Sequence, residues 1–312
     1  MTVHPQVQAM LDKMAAANLP AVHTLSPEAA RLQMEETVKA RGLDPTPVPR
    51  IWQREVPGPA GPIRVRLYRP EESDRLLPLL VYFHGGGHVI GSLDTHDSVA
   101  RNLCMGAHCM VASVDYRMAP EAKFPAAAED SYAATAWLAA HAATIGADGS
   151  RVAVGGDSAG ANLAAVVALI ARDSGGPALA LQLLVYPIVD YACDTASYAR
   201  YAEGYGPLEA EGMYWFRDHY LNGPEDADDW RASPIKAPRF DGLPPTHLVT
   251  AECDVLHDDG IAYAERLRDA GNAVEHVNYP GMIHGFFSWA PMLDDSITAQ
   301  ARAAEALKRA VS

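Results

Sequence analysis

The pentapeptide at 156–160, Gly-Asp-Ser-Ala-Gly, places Ser158 in a pattern that is typical of a serine nucleophile. It follows an apolar run at 151–155 that predicts a buried strand, and it leads into a helical pattern at 159–173. A serine on such a turn holds its hydroxyl above the sheet, and the helix N-terminus directs free N–H groups toward it. We interpret Ser158 as a nucleophile. The alternative is a glycine-rich turn whose serine only caps the helix.

A second loop could stabilise negative charge. The tetrapeptide at 84–87, His-Gly-Gly-Gly, follows an apolar run at 78–83. Attack on an ester carbonyl places charge on its oxygen, which preorganised backbone N–H groups stabilise. Consecutive glycines let the backbone approach closely, and the N–H of Ala159 should be a further donor. The alternatives are a plain turn or a phosphate-binding loop, but neither Lys-Ser/Thr nor a G-x-G-x-x-G pattern supports nucleotide binding.

Three histidines near this loop, His84, His88 and His96, have a spacing that could suit a metal. No cysteine or carboxylate cluster accompanies them, and imidazole ligands normally belong to a compact set of ligands. We therefore predict that the protein binds no metal. We expect His84 to hold the loop in place through hydrogen bonds.

The order of residues along the chain restricts the choice of acid, because after a serine of this kind the acid precedes the histidine. The acidic candidates that follow the predicted strand at 246–251 are Glu252, Asp254, Asp258 and Asp259. Asp254 should lie in the loop above the sheet edge, and Glu252 is its closest competitor. Asp258 and Asp259 are better explained as charges at a helix N-terminus.

The histidines that come next are His257, His276 and His284. His276 falls inside an alternating strand pattern at 274–279, and His257 adjoins the loop of the acid. His284 lies in a glycine-flanked loop after that strand, where an imidazole would stand over the sheet edge. We predict that Asp254 orients His284, whose Nε2 accepts the Ser158 proton. The alternative is a loop histidine that is merely packed beside Phe286.

The elements that must position these residues alternate between strand and helix. Strands are predicted at 78–83, 109–114, 151–155, 181–186 and 246–251, and helices at 97–107, 126–142, 159–173 and 258–270. A hairpin is expected from Ile51 to Leu67 around a Pro/Gly-rich turn at 57–62. This alternation predicts a single α/β domain with a mostly parallel central sheet flanked by helices.

Two segments interrupt the alternation. Residues 1 to about 45 look helical, with Ser26 as a helix N-cap, and residues 190–231 are rich in aromatics with no predicted strand. We expect both segments to form a helical cap over a catalytic core of residues 46–189 and 232–312. The alternative is a helical insert packed on the surface with no contact to ligand.

The composition restricts the partners and the compartment. The 312 residues carry a net charge of -14 and the pI is about 5.2, which disfavours nucleic acid and anionic membrane surfaces as partners. We expect no secretory signal at the N-terminus, and the apolar stretch at 161–171 is too short to cross a bilayer. Four cysteines form no C-x-x-C pair, so we expect them to be reduced in a cytoplasmic protein.

Together these motifs resemble the hormone-sensitive-lipase-like esterases, a branch of the α/β-hydrolases. The likeness runs from about Arg50 onward and includes 84–87, 115–121, 124–127, 156–160, 186–187, 254–259 and 284–286. The resemblance implies an α/β-hydrolase fold with a helical cap, a triad of Ser158, Asp254 and His284, and an oxyanion hole from Gly86, Gly87 and Ala159, supported by His84 and Gly85. It also implies hydrolysis of short- to medium-chain carboxylic esters through an acyl-enzyme, without a cofactor, and it suggests a homodimer.

The substrate pocket is less well defined by this resemblance. His88 stands where the family usually carries an aromatic residue such as Trp or Phe, and we expect His88, Tyr191 and Asp157 to line the pocket. Two classes of rival function remain: a binding protein, and an enzyme that acts on another substrate. A non-catalytic small-molecule receptor on the same fold is disfavoured because all three triad residue types are present. An interfacial lipase is disfavoured by the acidic charge, whereas an amidase would use the same triad.

Overall fold

An eight-stranded sheet crosses the middle of the molecule in the computed structural model, which describes residues 2–42 and 44–312. Its strands are β1 (Arg50–Gly58), β2 (Gly61–Arg69), β3 (Leu77–Phe83), β4 (Met110–Asp115), β5 (Ala147–Asp157), β6 (Leu179–Val185), β7 (Thr246–Cys253) and β8 (Val274–Ile283). The strand order is β1-β2-β4-β3-β5-β6-β7-β8. The β1–β2 and β2–β4 pairings are antiparallel and the remaining pairings are parallel. The predicted α/β class with a mostly parallel sheet is confirmed.

Burial explains why the strands differ in the hydrophobic pattern of their sequences. Every residue of β3 is buried, as expected for a central strand that is covered on both faces. In β2, Val65 and Leu67 are buried while Arg64 is exposed, so this strand near the sheet edge shows the alternation of a half-buried strand. The hairpin of β1 and β2 is paired from Arg50–Arg69 to Gly58–Gly61, as predicted.

Helices flank this sheet. They are α1 (Pro5–Ala17), α2 (Pro27–Ala40), α3 (Asp97–Ala107), α4 (Ala126–Ala140), α5 (Ala159–Ser174), α6 (Ala196–Arg200), α7 (Ala210–Tyr220), α8 (His257–Asp269) and α9 (Asp294–Ala310). The bounds of α3 match the prediction, whereas α9 was not predicted. Helix α5 is buried along most of its length, which explains its apolar sequence. In the part of the chain that the structure describes, no helix is both long enough and apolar enough to cross a membrane.

The two segments predicted as a cap are helical. We call residues 2–42 the N-terminal segment and residues 190–231 the insert; residues 1 and 43 of the predicted cap lie outside the described residues. A short 3-10 helix of the N-terminal segment, Val22–Thr24, packs against α7 of the insert. The chain before α1 reaches the end of β8, where the His4 N–H donates to the Gly281 carbonyl at 3.0 Å.

Candidate active site

Ser158 occupies the sharp turn between β5 and α5, with φ 55° and ψ −118°. This left-handed conformation is unfavourable for a non-glycine residue, so the surrounding structure must impose it. A Cβ atom on Gly156 would collide with the backbone of Gly160, and one on Gly160 would collide with the Phe83 carbonyl. The Ser158 N–H donates to the Val185 carbonyl at 2.8 Å. Close packing of strand, turn and helix therefore fixes the serine backbone.

The structure brings the three predicted residues Ser158, His284 and Asp254 into one hydrogen-bonded chain. Ser158 Oγ lies 3.0 Å from His284 Nε2, and His284 Nδ1 lies 2.7 Å from Asp254 Oδ2. The other oxygen of Asp254 accepts the Leu256 N–H at 2.9 Å. Asp254 follows β7 and His284 follows β8, so adjacent parallel strands deliver both side chains to the same sheet edge. With Nδ1–H donated to Asp254, Nε2 is the nitrogen that can accept a proton from the serine.

The competing acid and base candidates have other partners. Glu252 Oε2 accepts the Gly281 N–H at 2.7 Å. His257 Nδ1 donates to the Ala251 carbonyl at 2.9 Å, and His276 Nε2 lies 2.9 Å from a threonine hydroxyl on β7. These contacts place all three side chains outside the chain of hydrogen bonds at Ser158.

Asp258 and Asp259 lie in the first turn of α8, and they differ in burial. Asp258 accepts the Ser197 N–H at 2.9 Å and lies 3.8 Å from Arg200. Asp259 is almost fully buried, and this burial, reinforced by the nearby Asp190, raises its pKa well above the usual aspartate range. Burial therefore favours the neutral form of the Asp259 carboxyl group.

The glycine loop after β3 is a tight turn. Gly86 has φ 113° and Gly87 has φ 60°, and glycine adopts these conformations without strain. The N–H groups of Val89 and Ile90 both donate to the Gly86 carbonyl, at 3.0 and 2.9 Å. Within residues 2–42 and 44–312, the N–H groups of Gly86, Gly87 and Ala159 donate to no protein acceptor. They are therefore available to an oxygen atom of a ligand.

The Asp157 side chain is hydrogen-bonded to this loop. Its Oδ1 accepts the Gly85 N–H at 3.1 Å and the Tyr82 hydroxyl at 2.6 Å, and its Oδ2 lies 3.3 Å from His96 Nε2. Burial opposes the charged form of Asp157, but His96, Tyr82 and His84 together hold its pKa below the usual aspartate value. These contacts direct the Asp157 side chain toward β3, the start of α3 and the glycine loop, and its place in the substrate pocket stays a prediction.

His84 is neutral and holds the start of the loop. Burial, with a contribution from His96, lowers its pKa to about 4. Its Nδ1 lies 2.8 Å from the Gly85 carbonyl, and its ring stacks on Tyr116 at a centroid distance of 4.5 Å. The Tyr116 hydroxyl donates to the His84 carbonyl at 2.7 Å. Across the residues that the structure describes, no three His, Cys, Asp or Glu side chains converge on a point that could hold a metal.

His88 lies beneath the loop, fully buried and with φ 62°. Its Nδ1 is 2.8 Å from the Tyr191 hydroxyl, and its ring stacks on Tyr220 at a centroid distance of 4.0 Å. Burial, with His84 nearby, lowers the pKa of His88 to about 3, so the ring is neutral. His88 and Tyr191, both predicted pocket residues, are therefore in direct contact, and the insert reaches the loop through Tyr191 and Tyr220.

Three further side chains that were not predicted as site residues lie near the site. The Phe216 ring lies so close to Gly87 that a Cβ atom there would collide with it. The Tyr186 ring lies 4.5 Å from the His284 ring, centroid to centroid. In the N-terminal segment, Arg31 donates to the carbonyls of Val89 and Ala119, both at 2.7 Å. The aromatic content of the insert was a usable signal for Phe216, but a single arginine in a helix carries none.

Comparisons with known proteins agree with this geometry. Residues 80–288 match a family that is described as having the alpha/beta hydrolase fold. The chain belongs to this family. It is 44% identical to carboxylesterase NlhH of Mycobacterium tuberculosis over 252 residues, which are 80% of this chain and 79% of that protein. It is 36% identical to the ethyl acetate hydrolase of Pseudomonas putida over 320 residues, covering 99% of both.

Solved structures give the same result. An α/β-hydrolase enzyme from the metagenome of Lake Arreo, crystallised as a serine-to-alanine variant, superposes with a TM-score of 0.94 at 42% identity, covering 99% of this chain and 98% of that one. A thermostable esterase from Pseudomonas putida superposes with a TM-score of 0.96 at 36% identity, covering 100% and 98%. The chain is a carboxylic ester hydrolase of the serine esterase type. The receptor alternative is therefore set aside.

Proposed function

We propose that Ser158, His284 and Asp254 are the catalytic triad, and that the enzyme hydrolyses carboxylic esters with short to medium acyl chains through an acyl-enzyme. The observation that carries this proposal is the unbroken run of hydrogen bonds from Ser158 Oγ through His284 to Asp254, at 3.0 and 2.7 Å. Nucleophile, base and orienting acid within hydrogen-bond reach of one another are the arrangement that activates a serine.

In the acylation step, Ser158 Oγ attacks the ester carbonyl while His284 Nε2 accepts its proton. The carbonyl π electrons move onto oxygen, and the N–H groups of Gly86, Gly87 and Ala159 stabilise this oxyanion. When the tetrahedral intermediate collapses, the bond to the alkoxide breaks and His284 returns the proton to the leaving alcohol. Asp254 keeps Nδ1 protonated and stabilises the imidazolium that forms in between.

In the deacylation step, water takes the place of the alcohol. His284 accepts a proton from water, the resulting hydroxide attacks the acyl carbonyl, and the same N–H groups stabilise the second oxyanion. Collapse releases the carboxylic acid and returns the proton to Ser158. The whole cycle consumes ester and water and needs no redox step.

The proposed acyl-chain preference rests on what surrounds the serine. Phe216 packs on Gly87, Tyr186 packs on His284, and the insert contacts the loop again through Tyr191. We infer that these bulky side chains beside the glycine loop and His284 restrict the space for the acyl group. We infer that the N-terminal segment and the insert together form the cap over this pocket. One relative is named an ethyl acetate hydrolase, which supports a small acyl group.

A rate series across p-nitrophenyl esters of increasing acyl length tests both parts of the proposal. Wild type should hydrolyse acetate and butyrate esters faster than long-chain esters, and Ser158→Ala should lose activity by roughly 10⁴-fold or more. Wild-type turnover in Ser158→Ala would remove the serine from the mechanism. Faster hydrolysis of a long-chain triglyceride emulsion than of soluble butyrate would contradict the short-chain preference. The matching p-nitroanilides measure amidase activity by the same readout.

Two further expectations from the sequence stay proposals: a homodimer and a cytoplasmic location. Size-exclusion chromatography with light scattering on the purified chain tests the first, and a monomer mass across the micromolar range would contradict it. Fractionation of the source cells tests the second.

A further inference from the structure

Helix α6 of the insert lies against the loop that carries the triad acid. Ser197, in the first turn of this short helix, is fully buried. Its Oγ donates to the carbonyl of Val255 at 2.6 Å. Val255 directly follows Asp254, so a side chain from outside the catalytic core holds the backbone beside the acid.

The contact between Ser197 and this loop is reciprocal. The Ser197 N–H donates to Asp258 Oδ2 at 2.9 Å, and the Asp258 N–H donates to Ser197 Oγ at 3.3 Å. The neighbouring Thr195 Oγ lies 3.0 Å from Ser197 Oγ and donates to Asp259 Oδ1 at 3.3 Å. One residue of the insert therefore engages both the turn after β7 and the start of α8.

The loop transmits any displacement of Val255 to the acid, because it is short and internally bonded. The Leu256 N–H donates to Asp254 Oδ1 at 2.9 Å, and the His257 N–H donates to the Asp254 carbonyl at 3.1 Å. The Asp254 oxygen that faces His284 is 2.7 Å from Nδ1. Val255 lies in the chain between Asp254 and the residues that bond to it, so a shift of its carbonyl would move the backbone that carries the carboxylate.

We propose that Ser197 is a positioning residue, through which the insert holds the triad acid in the orientation that His284 requires. The proposal rests on the proposed function and goes beyond it, because it assigns the insert a part in catalysis in addition to shaping the pocket. A buried carbonyl that loses its donor is left unsatisfied at a cost in free energy, and this cost favours a backbone shift that exposes the carbonyl to water or to another donor. The Asp254 carboxylate would then move relative to His284, and misplacements of about 1 Å can cost about 100-fold in rate.

Ser197→Ala is the direct test, with kcat and KM measured on p-nitrophenyl butyrate and the rate of labelling by a fluorophosphonate measured in parallel. We expect kcat to fall by about 10- to 100-fold with little change in KM, and labelling to slow to a similar extent. Ser197→Cys keeps the approximate shape and a weak donor, so it should fall between Ala and wild type. If the alanine protein does not accumulate in folded form, the cysteine protein supplies the same comparison.

Ser131→Ala is the matched control. Ser131 is as completely buried as Ser197, it lies in α4, and its hydroxyl has no hydrogen-bond partner within the described chain. It should keep wild-type kcat. The proposal is overturned if Ser197→Ala lowers the melting temperature but keeps kcat and the labelling rate, since Ser197 would then serve only stability. Failure of the proposed function itself would look different: wild type would not be labelled, or Ser158→Ala would stay active.

Discussion

Gly86→Ala tests how much the glycine loop at 84–87, the proposed oxyanion hole, contributes to catalysis. Gly86 has φ 113°, and a Cβ atom there would collide with the carbonyl of Ile90. That carbonyl belongs to the turn that is closed by two hydrogen bonds onto the Gly86 carbonyl. The turn must open to admit a methyl group, and the N–H groups of Gly86 and Gly87 would then point away from the substrate oxygen.

The size of the effect follows from what the loop is proposed to do. Losing one oxyanion donor typically costs about 10²- to 10³-fold in kcat, or about 3–4 kcal/mol of transition-state stabilisation. A non-glycine residue at a strained positive φ costs a further 1–3 kcal/mol, roughly, of folding free energy. We therefore expect Gly86→Ala to lower kcat by about 100-fold or more and to lower the melting temperature.

Gly175→Ala is the control that separates the effect of backbone strain from the effect of losing an oxyanion donor. Gly175 ends α5 with φ 63°, and a Cβ atom there would meet nothing within 4 Å. This variant carries the backbone strain without the collision, and it lies at the opposite end of α5 from Ser158. Both variants are assayed for kcat on p-nitrophenyl butyrate and for thermal unfolding. Gly175→Ala should lose stability and keep kcat. If a folded Gly86→Ala keeps kcat within about threefold, the oxyanion assignment is refuted.

Two more predictions concern groups outside the triad. Arg31→Ala removes the donors to the Val89 and Ala119 carbonyls, so kcat/KM should fall by roughly 10-fold. Steady-state kinetics measure this change, with Lys39→Ala, which removes an exposed cation of the same helix, as the control. Equal activity in the two variants would contradict the prediction. Because the pKa of Asp259 is raised in the folded protein, wild type loses stability as the pH rises above about 4, where the unfolded chain ionises. Asp259→Asn escapes this loss, so its melting temperature relative to wild type should be higher at pH ~7.5 than at pH ~4. Thermal unfolding of both proteins at the two pH values measures this. If the melting temperatures of Asp259→Asn and wild type differ by the same amount at both pH values, the pKa of Asp259 is not raised in the folded protein.

Local sequence patterns predicted the core of the fold well. The strand β3 is buried on both faces, so nothing in its sequence alternates, and its apolar run could be recognised directly. The glycines around Ser158 are required by close contacts between strand and helix, and such contacts leave a recognisable motif. Helix α9 was not predicted, although Asp294 and Asp295 at its start and Lys308 and Arg309 at its end are typical helix-terminal charges.

The contacts that depend on distant parts of the chain could not be read from the sequence. The sequence indicates nothing of the hydrogen bonds that orient Asp157, whose partners are Tyr82, Gly85 and His96. The position of Asp259 at a helix N-terminus predicts a charged carboxylate, whereas tertiary burial raises its pKa and favours the neutral form. Burial and long-range hydrogen bonds are properties of the folded chain, and no local periodicity encodes them.

Covalent labelling shows directly whether Ser158 is the nucleophile. Wild type is treated with a fluorophosphonate, its intact mass is measured, and the modified peptide is mapped by fragmentation. We expect one added phosphonyl group per chain, located on Ser158, together with loss of esterase activity and no labelling of Ser158→Ala. A label on another residue that abolishes activity, or an unlabelled and inactive wild type, would contradict this assignment.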